Sequence, residues 1–190
     1  MNTRRIALIA ILIGLAVGTN YMMMPFYNVK FMDFIVFIGG FCLGPLAGGL
    51  IGALCWAVYG ILNPSGFNFQ VWIATMLCEA IFFGVAGGFM RKMFNKRTLD
   101  GSGNSRINLG IFFGVVGVFL TLAYDVITTI AFYFALAPQS ALVVVFLFGA
   151  PFTIAHSLSN AVFFGVGSVP VINLTSKLIR GGEKTVNVEK

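Results

Sequence analysis

Three apolar segments after residue 68 carry ionisable or strongly polar side chains where a membrane helix normally has none. These side chains are Glu79, Asp125, His156 and Asn160. A carboxylate at the centre of a membrane helix costs roughly 2.5–3.5 kcal/mol on insertion scales, so groups of this kind face a protein interior or a watery cavity. There they bind substrates, relay protons or pair with one another. The sequence therefore predicts a polar site inside a membrane protein.

The composition identifies the chain as an integral membrane protein. Of its 190 residues, 58% are hydrophobic and only 9% are charged, against about 25% charged in a soluble domain. The mean hydropathy is +0.95. Since a helical span needs roughly 20 apolar residues, this length predicts five to seven spans in a single membrane domain.

Positive charge is concentrated at the expected membrane flanks. Eleven of the 12 Lys and Arg residues lie in the segments 4–5, 91–106 and 177–190, and the exception is Lys30. The positive-inside rule places the three segments and both termini in the cytoplasm, and Lys30 outside. The basic residues are therefore expected to contact membrane lipid, which accounts for the net charge of +6. No nucleic-acid partner is predicted.

Six transmembrane helices fit this charge pattern. Gly44 and Pro45 divide a long apolar stretch into a hairpin, because one continuous helix would place the basic segment 91–106 outside. That segment is predicted to be a cytoplasmic linker, and Pro151 and Pro170 are expected to bend or end the last helix. The predicted helices cover residues 5–24, 32–44, 46–62, 69–90, 107–136 and 142–178.

A cleaved signal peptide is the alternative interpretation of the first apolar segment. Its basic start, apolar stretch and Ala16-Val17-Gly18 sequence resemble a cleavage site. The intact mass of the mature protein distinguishes the two interpretations.

The sequence lacks the motifs of common enzymes. It has one His and none of the patterns GxSxG, HExxH or GxxxxGK[ST]. Its three cysteines, Cys42, Cys55 and Cys78, lie in apolar runs without metal-binding spacing. We therefore predict a protein that is not an enzyme and that uses no metal or cofactor.

Polar and aromatic residues recur at helical spacing on four predicted helices. Residues three or four apart share one face of a helix, and a polar face with aromatic neighbours is typical of a small-molecule site. We therefore expect a pocket open to the outside. The alternative is that Glu79 or Asp125 pairs with His156 and only locks the bundle. The four faces comprise Trp56, Tyr59 and Asn63; Trp72, Thr75, Glu79 and Phe83; Thr121, Tyr124, Asp125 and Thr128; Thr153, His156 and Asn160.

Small residues at four-residue spacing mark several helix faces, which allow helix backbones to approach closely in lipid. Those on the later helices, from Gly40 to Gly52 and at 84–88 and 110–114, are expected to serve internal packing. The stripe on the first helix is predicted to dock a partner protein, because the other helices already supply small faces for one another. It consists of Ala10, Gly14 and Gly18.

Several runs resemble the S component, or substrate-binding membrane subunit, of energy-coupling-factor (ECF) vitamin transporters. Residues 28–33 (NVKFMD), 41–49, 56–60 and 63–67 resemble the first outer loop and the second and third helices of that family. The run 151–160 is compatible with its sixth helix. The resemblance covers nearly the whole chain.

This resemblance implies a multi-pass protein of the cell membrane that captures a water-soluble vitamin or cofactor precursor. It implies docking to a transmembrane coupling subunit driven by two cytoplasmic ATPases. An alanine-rich stripe on helix one docks in that family, and Ala10, Gly14 and Gly18 match it approximately. Ligand identity does not transfer, although α-ribazole, cobalamin or thiamine-type ligands are compatible.

On this interpretation the predicted site residues divide by chemistry. Trp72 and Tyr124 would stack on a nitrogen-containing ring, and Asn28 and Lys30 would belong to a lid in the first outer loop. The groups predicted to hydrogen-bond or balance charge are Glu79, Asp125, His156 and Asn160, with Tyr59 and Asn63 at the outer end.

Two other functions remain open at this point. A proton-coupled secondary transporter of a small organic solute would use Glu79, Asp125 and His156 as a relay. A structural or assembly protein would bind no ligand.

Overall fold

The computed structural model describes residues 3–64, 66–94 and 104–188, with side chains as far as residue 174. The predicted all-α class is confirmed, since these ranges form helices and connecting turns without a strand. Part of the predicted linker 91–106 lies outside the described residues. The helices are α1 (Thr3–Met22), α2 (Met32–Leu43), α3 (Pro45–Ile61), α4 (Phe69–Met93), α5 (Asn104–Leu136) and α6 (Leu142–Val188).

Four of these helices are long and apolar enough to cross a membrane. They are α1, α4, α5 and the Leu142–Leu174 part of α6. Helices α2 and α3 are apolar but shorter, with 12 and 17 residues. The count of six spans therefore stays a prediction.

Helix α2 lies at the centre of the bundle. All of its residues from Met32 to Phe41 are buried, and it packs against α1, α3, α4 and α6. A helix that is apolar on every face belongs in an interior. The break after α2 falls at Gly44, whose φ of 95° suits glycine, and Pro45 occupies the first turn of α3.

Glycines bring α2, α3 and α4 into backbone contact. A methyl group added to Gly84 would overlap the backbone of Gly48, and one added to Gly88 would overlap Pro45. On α1 the situation is different, because a methyl group on Gly14 or Gly18 would meet no atom within 4 Å among the described residues. The glycines of α2 to α4 therefore serve internal packing, whereas the α1 stripe faces away from the bundle.

Hydrogen bonds define the two ends of the bundle. At one end, Arg5 of α1 and Arg91 of α4 donate to the carbonyl oxygens of Leu43 and Cys42, which end α2. We call this the basic end. These bonds satisfy carbonyls that a helix terminus otherwise leaves free.

The opposite end, which we call the loop end, holds the loop of residues 23–31, termed the first loop. Here the Tyr21 hydroxyl donates to the carbonyl oxygen of Leu62 over 2.9 Å. Helix α6 starts at this end and continues through Pro151 and Pro170. Of the two expected effects of these prolines, bending or ending the helix, the ending does not occur.

Candidate functional site

A buried carboxylate at the start of α2 is the hub of a polar cluster. Asp33 is fully buried, and its Oδ2 accepts hydrogen bonds from His156 Nε2 at 2.5 Å and Asn160 Nδ2 at 2.8 Å. Both donors lie on α6. Asp33 was not among the residues predicted for the site, yet it joins the central helix to two residues that were.

A second carboxylate contacts the other ring nitrogen of the same imidazole. His156 Nδ1 lies 3.0 Å from Asp125 Oδ1 of α5, so His156 bridges two carboxylates. Both contacts are satisfied when both ring nitrogens carry hydrogen. Asn160 also donates to Thr121 Oγ1, at 2.7 Å. The pairing of Asp125 with His156, which the sequence raised as an alternative to a binding site, is therefore present.

Glu79 enters the cluster from an irregular turn of α4. The segment Glu79–Val85 is π-helical, a widened geometry that is frequent at functional sites. The Glu79 carboxylate is fully buried, and its Oε2 accepts a hydrogen bond from Trp56 Nε1 of α3 at 3.2 Å. The Glu79 carboxyl group lies close enough to that of Asp33 for the two groups to interact. Five helices, α2 to α6, thus carry the ionisable groups or their immediate partners.

Lys30 reaches into the cluster from the first loop. Its ammonium nitrogen lies 5.1 Å from the ring centre of Tyr124 and 5.7 Å from that of Trp56. Tyr124 is itself buried and packs edge-on against His156 with ring centres 5.9 Å apart. The lysine predicted to lie in a lid therefore turns its charge inwards.

The cluster has spare capacity to accept hydrogen bonds. We define the polar cluster as Asp33, Glu79, Tyr124, Asp125, His156 and Asn160. Among the described residues, no N–H or hydroxyl group donates to five of its buried oxygen atoms, although the carboxyl groups of Asp33 and Glu79 lie close enough to contact each other. The five atoms are Asp33 Oδ1, Glu79 Oε1, Tyr124 Oη, Asp125 Oδ2 and Asn160 Oδ1. Buried polar atoms in proteins are nearly always hydrogen-bonded, so an unpaired set this large calls for a functional explanation.

Phenylalanines separate the polar cluster from the basic end. The ring centre of Phe164 lies 4.9 Å from that of Phe37 and 6.2 Å from that of Phe83, and Phe113 lies 6.1 Å from Phe37. All four side chains are fully buried. Phe37, Phe83 and Phe164 each follow a cluster residue by four residues, one turn towards the basic end. Phe113 precedes Tyr124 by 11 residues on α5, which runs in the opposite direction. We call these four residues the aromatic floor.

Four other predicted site residues lie towards the loop end, outside the hydrogen bonds of the polar cluster. Trp72 donates to the carbonyl oxygen of Trp56 at 2.8 Å, and Tyr59 packs against Trp56 and Tyr21. The other two, Asn63 and Asn28, lie in the α3–α4 connection and in the first loop.

A groove of about 710 Å³ opens between α5 and α6 near the basic end. It is lined mainly by apolar and small residues, and none of its lining residues belongs to the polar cluster. The chemistry suggested by the sequence therefore lies elsewhere in the bundle.

Comparison with known families identifies the chain. The family model for the substrate-specific component of ECF transporters matches residues 4–175. The chain belongs to this family. The resemblance seen in residues 28–67 and 151–160 is thereby confirmed. Searches of curated proteins and of solved structures each return no significant match.

Membership of this family establishes the general role. A substrate-specific component is part of a multi-pass membrane transporter rather than an enzyme. Such components bind a small substrate and work with ECF-module partners, which are ATPases and a coupling subunit. The match spans α1 to α5 and α6 up to residue 175, and so includes every residue of the polar cluster.

Proposed function

We propose that this substrate-specific component captures a water-soluble vitamin or cofactor precursor with a nitrogen-containing ring, and that the polar cluster is its binding site. The observation that carries the proposal is the set of five unpaired oxygens held on α2, α4, α5 and α6. The Trp56 ring is hydrogen-bonded to Glu79 and the Tyr124 ring packs against His156, and the Lys30 ammonium lies over both rings. Convergent polar groups within an aromatic surround suit a small-molecule ligand.

We place the loop end outside the cell and the basic end in the cytoplasm. Arg5, Arg91 and the α2–α3 turn share one end of the bundle, which supports this orientation by the positive-inside rule. The polar cluster then lies on the outer side of the aromatic floor, with Lys30 of the first loop reaching into it, and the floor closes it towards the cytoplasm. Capture from outside follows from this arrangement.

The first loop is positioned to act as a lid. Its Tyr27 ring stacks on Phe152 of α6 at 4.3 Å, and Asn28 Nδ2 donates to the Phe152 carbonyl oxygen at 3.0 Å. The Phe31 ring of the same loop packs edge-on against Phe163 of α6 with ring centres 4.8 Å apart, and Lys30 reaches into the polar cluster. These are contacts of individual side chains. Loops held in this way open and close to admit substrates.

Glu79→Gln and Asp125→Asn test the site. Each replaces a carboxyl group by an amide of the same shape and so removes one acceptor oxygen, and a hydrogen bond to a charged group contributes about 1.5–3 kcal/mol. We expect substrate affinity to fall about tenfold or more in each variant. The measurement is calorimetric titration with the solute eluted from the wild-type protein.

The matched control is Thr128→Val. Thr128 lies on α5 near Asp125, but its hydroxyl bonds only its own helix, to the carbonyl oxygens of Tyr124 and Asp125. Its affinity should equal that of the wild type. Unchanged affinity in both acidic-site variants would contradict the site assignment.

The α1 stripe is our candidate surface for the coupling subunit. Ala10, Gly14 and Gly18 are exposed on one face, next to Ile11 and Leu15, which are 64% and 52% exposed. Small residues flanked by apolar ones permit close helix contact within a membrane. Two cytoplasmic ATPases would complete the assembly.

Gly14→Leu tests this surface. Because nothing among the described residues lies within 4 Å of a methyl group at this position, substrate affinity should not change. A bulky side chain there blocks backbone approach, so ATP-driven uptake by the full complex is expected to fall at least tenfold. Val115→Trp adds bulk at a 49% exposed position of α5 and serves as the control. Equal uptake in both variants would exclude the stripe as the docking surface.

A proton-coupled secondary transporter is the second candidate, favoured by the Asp33–His156–Asp125 chain of contacts. Uptake by the isolated chain that an uncoupler abolishes and that needs no ATPase would support it. The aromatic floor argues against a relay that continues to the basic end.

A further inference from the structure

We propose that the Lys30 ammonium occupies the position that a cationic group of the substrate takes, so that the substrate is an organic cation that displaces Lys30. This inference rests on the proposed function, and it specifies the charge of the substrate. The position lies within 6 Å of the ring centres of Trp56 and Tyr124, and a charge there interacts with the carboxyl groups of Asp33 and Glu79.

The aromatic rings are the first observation. The ammonium nitrogen lies within 6 Å of two ring centres, those of Trp56 and Tyr124. A cation near the face of Trp or Tyr is attracted by the ring quadrupole, most strongly where water is excluded. Aromatic cages of this kind recognise quaternary and protonated nitrogen in ligands. A side chain of the protein itself contributes the cation here.

The hydrogen-bonding balance of the site is the second observation. The nitrogen donors around the cluster are already engaged: Trp56 Nε1 by Glu79, both nitrogens of His156 by carboxylates, and the Asn160 amide by Asp33 and Thr121. All five unpaired atoms are oxygens, and four of them belong to carboxylates or an amide carbonyl. The site can therefore accept hydrogen bonds from the N–H groups of a ligand.

The charges point the same way. Three carboxyl groups, Asp33, Glu79 and Asp125, face one imidazole and one ammonium, and the Lys30 charge acts on Asp33, Glu79 and His156. A substrate anion would meet three carboxyl groups and would depend on Lys30 alone for a compensating charge. A substrate cation could interact with the carboxyl groups and with the faces of the aromatic rings once Lys30 leaves.

The chain permits Lys30 to leave. It belongs to the first loop, three residues before Asp33, and its ammonium is carried on a flexible four-carbon stem. Opening of the first loop would withdraw the ammonium and expose the site in one movement. When part of the protein itself occupies the site, ligand binds only the molecules in which the site is free. The apparent affinity is the intrinsic affinity multiplied by the fraction of such molecules. Removing the Lys30 charge should therefore strengthen the binding of a cation.

The test compares three variants of the full chain in lipid nanodiscs. Lys30→Met removes the charge but keeps an unbranched apolar side chain, and Lys30→Arg keeps the charge. Lys92→Met is the matched control, because Lys92 also lies over an aromatic ring, that of Phe89 at 5.1 Å, but at the basic end. The probes are thiamine as a ring-bearing cation, riboflavin as a neutral ring compound and nicotinate as a ring-bearing anion, each titrated by calorimetry.

We expect the wild type to prefer thiamine to the other two probes. Lys30→Met should bind thiamine about tenfold more tightly, as expected for the loss of a desolvated cation–π competitor, whereas Lys30→Arg and Lys92→Met should match the wild type. Thiamine should also speed acylation of the Lys30 amine, because the bound cation displaces it. Mass mapping of the acylated chain measures that rate.

Loss of thiamine binding in Lys30→Met, or nicotinate binding that this variant abolishes, would overturn the inference. Either result would make Lys30 a direct ligand and leave the capture function intact. Absence of binding for every probe in every variant would count against this inference, and the solute retained by the wild-type protein would then decide the proposed function separately.

Discussion

Replacing Asp33 by Asn is expected to cause the largest loss of substrate affinity among the conservative changes in the polar cluster, about 100-fold. The carboxylate accepts hydrogen bonds from both His156 and Asn160, and it interacts with the Lys30 charge. Hydrogen bonds to charged groups contribute about 1.5–3 kcal/mol, and 2.7 kcal/mol corresponds to about 100-fold. Titration with the solute eluted from the wild-type protein measures the loss.

The same substitution should also destabilise the bundle. An uncompensated charge left after one partner of a buried pair is removed costs about 3–5 kcal/mol, and His156 loses one of its two carboxylates. We expect Asp33→Asn to unfold at a lower temperature than Asp125→Asn, which breaks one contact to His156 at a slightly exposed position. Equal effects of the two variants on affinity and on unfolding temperature would show that Asp33 is not the hub.

Replacing Gly84 by Ala is expected to cause a large loss of stability for the addition of one methyl group. The added carbon would overlap the backbone carbonyl of Gly48 where α4 crosses α3, and a backbone cannot move aside as a side chain can. Overpacking of this kind costs typically about 1–3 kcal/mol and sometimes more. Because Gly84 also lies in the π-helical segment that begins at Glu79, substrate affinity should fall with stability.

Gly14→Ala is the control for this effect. It adds the same atom to a helix face where nothing among the described residues lies within 4 Å. Since Ala is favoured over Gly in a helix by about 1 kcal/mol, the unfolding temperature should be unchanged or slightly higher. Unfolding followed by circular dichroism in one detergent compares both variants with the wild type. A Gly84→Ala protein as stable as Gly14→Ala would show that α3 and α4 do not meet at this glycine.

Much of the fold follows from local features of the sequence. Gly44 and Pro45 end one helix and begin the next because of their backbone preferences, and the structure places the break between α2 and α3 there. The helical periodicity also assigned Glu79, Asp125 and His156 to three different helices. Helix lengths were harder to predict from the sequence, because Pro151 and Pro170 do not end α6. A proline can be accommodated in a long membrane helix when neighbouring groups satisfy the freed carbonyl.

The centre of the site was less predictable. In the sequence Asp33 is simply a polar residue at the start of a predicted helix. Only the packing of α2 against α6 brings it to His156 and Asn160. One signal could have revealed it, because α2 is apolar on every face and so belongs in the interior, together with any charge that it carries. No feature of the sequence indicates that the Lys30 side chain points inwards, because a charged residue in a loop is expected to be exposed. Side-chain direction in a loop depends on tertiary contacts.

The central claim is that the polar cluster holds a small substrate, and native mass spectrometry of the chain purified from its own cells tests it most directly. The account predicts a wild-type population that carries one retained small molecule, whose mass identifies the compound. It also predicts that Asp33→Asn, purified in the same way and still folded by circular dichroism, loses that molecule, whereas Thr128→Val keeps it. A wild-type chain with no retained molecule, or equal retention by Asp33→Asn, would contradict the account.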